Sequence, residues 1–165
     1  MNTLLTAQQV LAVVRRLERQ ALSYQQLRDL ERRGCIAPRV LSGGRAPRVY
    51  GVGDVLLLRL IARLQADPLL RRWQVWSVVA HLREPLTAAL VAGHARTLIV
   101  QGATGRLVTR REASTLRGVD CDLVELSRGV REAMRLEVGT VWTGAKWVPA
   151  REAAQHAQPL TAEVA

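Results

Sequence analysis

The chain has 165 residues, 48% of them hydrophobic and 23% charged, which excludes a wholly disordered polymer and fits one ordinary domain or a small domain with an appendage. Its longest apolar-rich stretches, Val55–Leu64 and Leu86–Val91, fall short of the roughly 18 to 20 residues a membrane span needs, so no segment is expected to cross a bilayer. The formal net charge is +10, carried by 23 arginines and the lone lysine Lys146 against 14 acidic residues, so anionic partners are expected.

That charge is unevenly spread. Residues 1–85 hold 14 arginines and 6 acidic residues, whereas residues 86–165 hold 10 basic and 8 acidic residues, so the amino-terminal half is the expected nucleic-acid binder. Arginine suits the role because its planar fork pairs bidentately with phosphate oxygens or with the major-groove edge of guanine. The start Met1–Leu5 has no basic run ahead of its apolar residues and does not read as a secretion signal, which points to the cytoplasm. Cys35 and Cys121 are too few for a disulfide scaffold and too isolated for a metal site, and read as small buried thiols.

Along the chain, Thr6-Ala7-Gln8-Gln9 has the form of a capping box, and Val10, Val14 and Leu17 follow at helical spacing, which predicts a first helix over residues 7–19. Ser23-Tyr24-Gln25-Gln26 repeats the arrangement. The run it opens ends at Arg32-Arg33-Gly34, predicting a short second helix over 24–33. At 100° per residue, Leu27 and Leu30 fall on one side of this helix and Gln25, Arg28, Asp29 and Arg32 on the other. Two extended segments, Cys35–Leu41 and Arg48–Tyr50, then flank the glycine-rich stretch Ser42–Pro47, the pattern of a basic hairpin.

Asp54 is placed to cap a third helix, Val55–Gln65, with its leucines in the core and Arg59 and Arg63 pointing elsewhere. Asp67-Pro68 predicts the start of a fourth helix running to Arg83 and stopping before Pro85, with Leu69, Trp73, Trp76, Val79 and Leu82 on its apolar face and His81 partly buried. Beyond Pro85 come a short apolar helix near Leu86–Ala92 and a hairpin of Thr97–Gln101 with Arg106–Thr109. A helix over Asp122–Glu137 and a second small hairpin over Thr140–Trp147 follow, with Trp142 and Trp147 packed or in an interface.

Taken in order, Ser23–Pro38, Gly43-Gly44-Arg45-Ala46-Pro47-Arg48-Val49-Tyr50 and Asp54-Val55-Leu56 resemble the DNA-binding domain of MerR-type transcription regulators. There, a capped recognition helix ends in a glycine and an apolar-proline pair, and an arginine-tyrosine wing leads into the next helix. The likeness covers about residues 6–84. It implies a winged helix-turn-helix over residues 1–85, with Tyr24, Gln25 and Arg28 facing the DNA groove and Arg45 and Arg48 on phosphates. Arg32 joins this set from the outward face derived above. The segment before Ser23 is longer than the family's tight turn, and Asp29-Leu30 stands where family members often carry an aromatic pair.

The fold expected is therefore mainly α with small β. Residues 86–154 are expected to form an α+β oligomerisation or partner-binding module, and residues 155–165 a flexible tail. His81, His94 and His156 are scattered, and no HExxH, GxSxG, phosphate loop or paired CxxC occurs, so no catalysis, metal or cofactor is expected. The function expected is a sequence-specific regulator that binds double-stranded DNA as a homodimer, nucleoid-associated and with no membrane role. The alternatives are an architectural, recombination-directionality or partition protein, or an antitoxin-like protein whose carboxy-terminal half grips a protein partner.

Overall fold

In the computed structural model, residues 4–18, 21–40, 48–138, 140–142 and 147–149 are described. The architecture is mixed α+β, predominantly helical, with three small antiparallel sheets among these residues. Both capping boxes read from the sequence are present. Thr6 starts α1 (Ala7–Leu17): its hydroxyl accepts from the Gln9 amide at 3.3 Å, and the Gln9 side chain accepts from the Thr6 amide at 2.9 Å. Ser23 and Gln26 repeat the exchange at the head of α2 (Tyr24–Arg32). At the other end of α2 the Cys35 amide donates to the Leu30 carbonyl and the Gly34 amide to that of Glu31, both at 3.0 Å, closing a Schellman motif. Gly34 supplies the left-handed residue this requires, at φ +72°.

The expected basic ribbon is present as β1 (Arg39–Val40) paired with β2 (Arg48–Val49), with Val40 opposite Arg48. Its glycine-rich turn, residues 41–47, lies outside the described residues. Leu5 extends the ribbon by exchanging two backbone hydrogen bonds with Tyr50, both at 2.9 Å.

Helix α3 (Val52–Gln65) is the central element, buried from Val55 through Ala62, with α1, α4 and α5 packed against it. It begins three residues earlier than the sequence suggested. Gly51 takes the cap position, and Asp54, in the first turn, accepts from the Gly51 amide at 2.9 Å and the Ala37 amide at 3.1 Å. Asp54 thus caps the helix from within and ties the segment after α2 to it.

The fourth predicted helix requires correction. Asp67 does not start it; its carboxylate accepts from the Leu69 amide at 2.8 Å in a local turn, and α4 spans Arg72–His81. Its buried residues are Val75, Val78 and Val79, whereas Leu69 and Trp73 of the proposed apolar face are exposed. His81 is exposed as well. After Leu82 alone, α5 (Arg83–Ala92) begins, so Pro85 sits in a first helical turn, where its missing N–H costs nothing. The hydrophobic core runs without a break from Leu5 to Met134 across that proline.

Strands β3 (Thr97–Gln101) and β4 (Thr104–Val108) form the expected hairpin, and β5 (Val119–Asp122), which the sequence reading did not assign, adds to the far side of β3. A Cβ built on Gly105 of β4 would lie 2.3 Å from a Val78 methyl, so glycine is what lets the sheet close on α4. The short helix α6 (Arg110–Ala113) packs on β3.

The helix predicted over Asp122–Glu137 is two helices, α7 (Leu123–Ser127) and α8 (Val130–Val138), separated by Arg128 in an extended conformation and Gly129 at φ +78°. Asp122 caps α7, accepting from the Val124 amide at 2.9 Å and the Glu125 amide at 3.3 Å. Finally β6 (Thr140–Trp142) pairs with β7 (Trp147–Pro149), the last hairpin expected, with Trp142 opposite Trp147.

Arg59 and Arg63 do not point away from the structure. Arg59 is 7% exposed; its Nε donates to Glu18 at 2.8 Å, and one terminal nitrogen donates to the Leu126 carbonyl and, at 2.6 Å, to that of Arg128. Arg63 grips the same Glu18 through two hydrogen bonds at 3.0 and 3.1 Å. Together with an Arg16–Glu137 pair at 2.6 Å, these bonds fasten the elements before Gln65 to α7, α8 and the turn between them.

Candidate nucleic-acid interface

The outward side of α2 follows from its packing. Leu27 and Leu30 are fully buried, which turns Tyr24, Gln25, Arg28 and Arg32 away from the core. Tyr24 is 56% exposed, and the Arg28 guanidinium lies 5.8 Å from its ring centroid. Gln25 donates to Asp29 at 3.2 Å, and Arg32 pairs with the same carboxylate at 3.0 Å. Asp29 therefore braces two of the residues that the sequence reading placed at the groove.

Glu31 organises the other half of the surface. One of its oxygens accepts from Arg28 at 3.0 Å and forms an ion pair with Arg48 of β2 at 3.1 Å; the other accepts from the Tyr50 hydroxyl at 2.5 Å. Arg28 and Arg48, 20 positions apart in the chain, are thus held by one carboxylate whose side chain is only 10% exposed. Tyr50 is buried, and burial followed by its bond to Glu31 pushes its hydroxyl pKa far above the ordinary tyrosine range, so it is a permanent donor. The structure brings Tyr24, Gln25, Arg28, Arg32 and Arg48 onto or beside α2; Arg45 lies outside the described residues.

Sequence reasoning missed Glu31. Its spacing of three from Arg28 was a usable local signal, but Arg48 and Tyr50 reach it only through the ribbon's fold. It also missed a cation–π cluster at the end of α2. There the Trp76 ring is approached by Arg33 and Arg72, whose guanidinium carbons are 4.7 and 5.9 Å from its centroid.

No protein-family model matches this chain, and none of the curated proteins is similar to it in sequence. Its chemistry must therefore be read from its own side chains. Among the described residues, no group of three or more His, Cys, Asp and Glu side chains gathers as a metal site, and no helix is long and apolar enough to cross a membrane. Burial pushes the Cys35 thiol up to about 11 and the Cys121 thiol up to about 12, which holds both protonated at neutral pH. A groove of about 1360 Å³ opens beside the start of α3 and along α5, and none of the residues singled out on α2 or Arg48 lines it. What the α2 surface offers is a short capped helix with arginines and hydrogen-bonding groups outward, beside a two-stranded ribbon that adds a further arginine.

Proposed function

We propose that the protein binds double-stranded DNA as a sequence-specific transcriptional regulator, with α2 entering the major groove and the arginine-bearing ribbon lying on the backbone, in the manner of a MerR-type winged helix-turn-helix. The observation that supports this reading most is the shared surface of α2 and the ribbon, on which Arg28 and Arg48 are braced by a single carboxylate. A helix that presents Tyr24, Gln25 and Arg28 from its first turns can read base edges, while an arginine on an adjacent ribbon meets phosphates. The chain's net charge of +10 supplies the long-range attraction.

One such helix reads only a few base pairs, so the protein acts as a homodimer on two symmetry-related half-sites. Selection of bound duplexes from a random pool, followed by footprinting and light scattering of the full-length protein, tests the proposal. A protected pseudo-palindrome about one helical turn between half-site centres, bound by a dimer, is the expected result. Protection spreading along the duplex identifies an architectural protein instead, and a flat salt dependence or tighter binding to single strands rejects the reading.

A further inference from the structure

Glu31 sits in an unexpected place for a protein that meets phosphates: a carboxylate at the centre of the cationic surface, shielded from water, accepting from Arg28 and Tyr50 and ion-paired with Arg48. These contacts divide between its two oxygens, with the Arg28 hydrogen bond at 3.0 Å and the Arg48 ion pair at 3.1 Å on one and the Tyr50 hydrogen bond at 2.5 Å on the other. Each guanidinium meets Glu31 through a single terminal nitrogen, Nη1, in these pairs. A guanidinium has five N–H donors in a fixed fork, so most of each fork stays available to a ligand. Both arginine side chains are about a third or more exposed, at 33% and 40%. They are therefore tethered at one end and presented at the other.

Such an arrangement has two opposed effects on a nucleic-acid surface. The negative charge cancels part of the attraction for any phosphate backbone, which weakens binding to every sequence alike. The tether fixes the separation and orientation of two flexible side chains, one on the helix and one on the ribbon, so less freedom is lost when they dock. Fixed geometry rewards a matching sequence and penalises a mismatched one.

We propose that Glu31 is a specificity-determining positioning residue, holding Arg28 and Arg48 in register so that discrimination between DNA sequences is gained at the expense of unspecific affinity. This inference rests on the DNA-binding function proposed for the same surface. The buried Tyr50 hydroxyl completes the device by fixing the carboxylate from the core side.

The test uses the full-length protein as wild type, Glu31→Gln and Tyr50→Phe, each checked by thermal melting. Dissociation constants are measured for a selected duplex and a scrambled duplex over a series of salt concentrations. For Glu31→Gln the ratio of the two constants is expected to fall by about tenfold, the discrimination carried by one well-formed pairing with a base edge, while affinity for the scrambled duplex holds or rises. Its salt slope on the scrambled duplex steepens by up to about one unit, because freed guanidinium charge is added. Tyr50→Phe keeps every charge, so the ratio falls by a smaller factor with the slope unchanged.

Equal loss of affinity for both duplexes in Glu31→Gln makes the carboxylate a mere fold-holding group, and equal gain makes it only a charge brake; either overturns the proposal. If Glu31→Gln does not fold, Tyr50→Phe decides, and an unchanged ratio there refutes the role. A wild type that binds no duplex fails at the earlier step and removes the DNA-binding reading itself, an outcome distinct from a specific wild type whose ratio neither variant alters.

Discussion

Replacing Arg59 by methionine removes the guanidinium while keeping much of the unbranched stem that packs against the core. Three acceptors lose a partner: a Glu18 oxygen at 2.8 Å, the Arg128 carbonyl at 2.6 Å and the Leu126 carbonyl. A buried acceptor left unsatisfied costs about 1–3 kcal/mol, and breaking a buried ion pair costs about 3–5 kcal/mol when the remaining charge is stranded. Here it is not stranded, because Arg63 still donates to Glu18 through two bonds at 3.0 and 3.1 Å. The penalty is therefore set by the two carbonyls and part of the pair, about 3 kcal/mol. For a chain of this size, that corresponds to a fall in Tm of roughly 6–12 °C. Thermal and urea unfolding of Arg59→Met, Glu18→Gln and the double variant measures it. Because all three groups meet in one cluster, the double variant is expected to lose less than the sum of the singles by about 1 kcal/mol. A fall in Tm below about 2 °C for Arg59→Met, or strict additivity in the double variant, refutes the account of Arg59 as the fastening of α7 to the central helix.

Three further outcomes follow from the same geometry. Arg28→Ala is expected to blur sequence preference by about 1–3 kcal/mol of discrimination, whereas Arg45→Ala with Arg48→Ala mainly weakens binding to every duplex, with a smaller loss of discrimination, and lowers the salt slope by roughly one unit for each arginine taken off a phosphate; binding titrations on selected and scrambled sites separate them. Gly105→Ala brings a methyl to 2.3 Å from Val78 and 3.1 Å from Leu82, so urea unfolding is expected to show a loss of about 1–3 kcal/mol. The buried thiols make stability fall in alkali. Their ordinary value is 9.0, and burial raises them to about 11 for Cys35 and about 12 for Cys121, so below pH 9 both states keep the protons and above it the unfolded chain loses them first. Each thiol then removes up to about 1.4 kcal/mol per pH unit, a decline that Cys35→Ala and Cys121→Ala should each lessen in melts between pH 9 and 11.

Local chemistry was legible where its partners are local. The boxes at Thr6 and Ser23 join residues three apart, and the Arg33-Gly34 stop needs only the last turn of α2, so both helices were bounded to within two residues. The outward set of Gln25, Arg28 and Arg32 followed from the burial of Leu27 and Leu30 alone. Errors arose where a local signal had a second use. Asp54 and Asp67 each look like a first cap, yet one acts from inside its helix and the other closes a turn. The unbroken apolar period through residues 122–137 concealed the left-handed Gly129. Arg59 was read as pointing elsewhere because the carbonyls it serves lie 67 and 69 positions away, and Glu31 was passed over because Arg48 and Tyr50 reach it only in three dimensions.

The packing of α1 against α8 bears on how the chain comes off the ribosome. Arg16 and Glu137, which close that contact at 2.6 Å, are separated by 121 positions. At a translation speed of about 5–20 residues per second, the second partner is made roughly 6–24 s after the first. Throughout that interval the side of α1 destined for α8 has no mate, whereas α2 and α3, its other neighbours, are completed within the first half of it. The nascent chain spends those seconds with that flank uncovered beside a growing arginine-rich segment, a state in which a chaperone or a polyanion has the first opportunity to bind. The packing of α1 is thus complete only once α8 has left the exit tunnel.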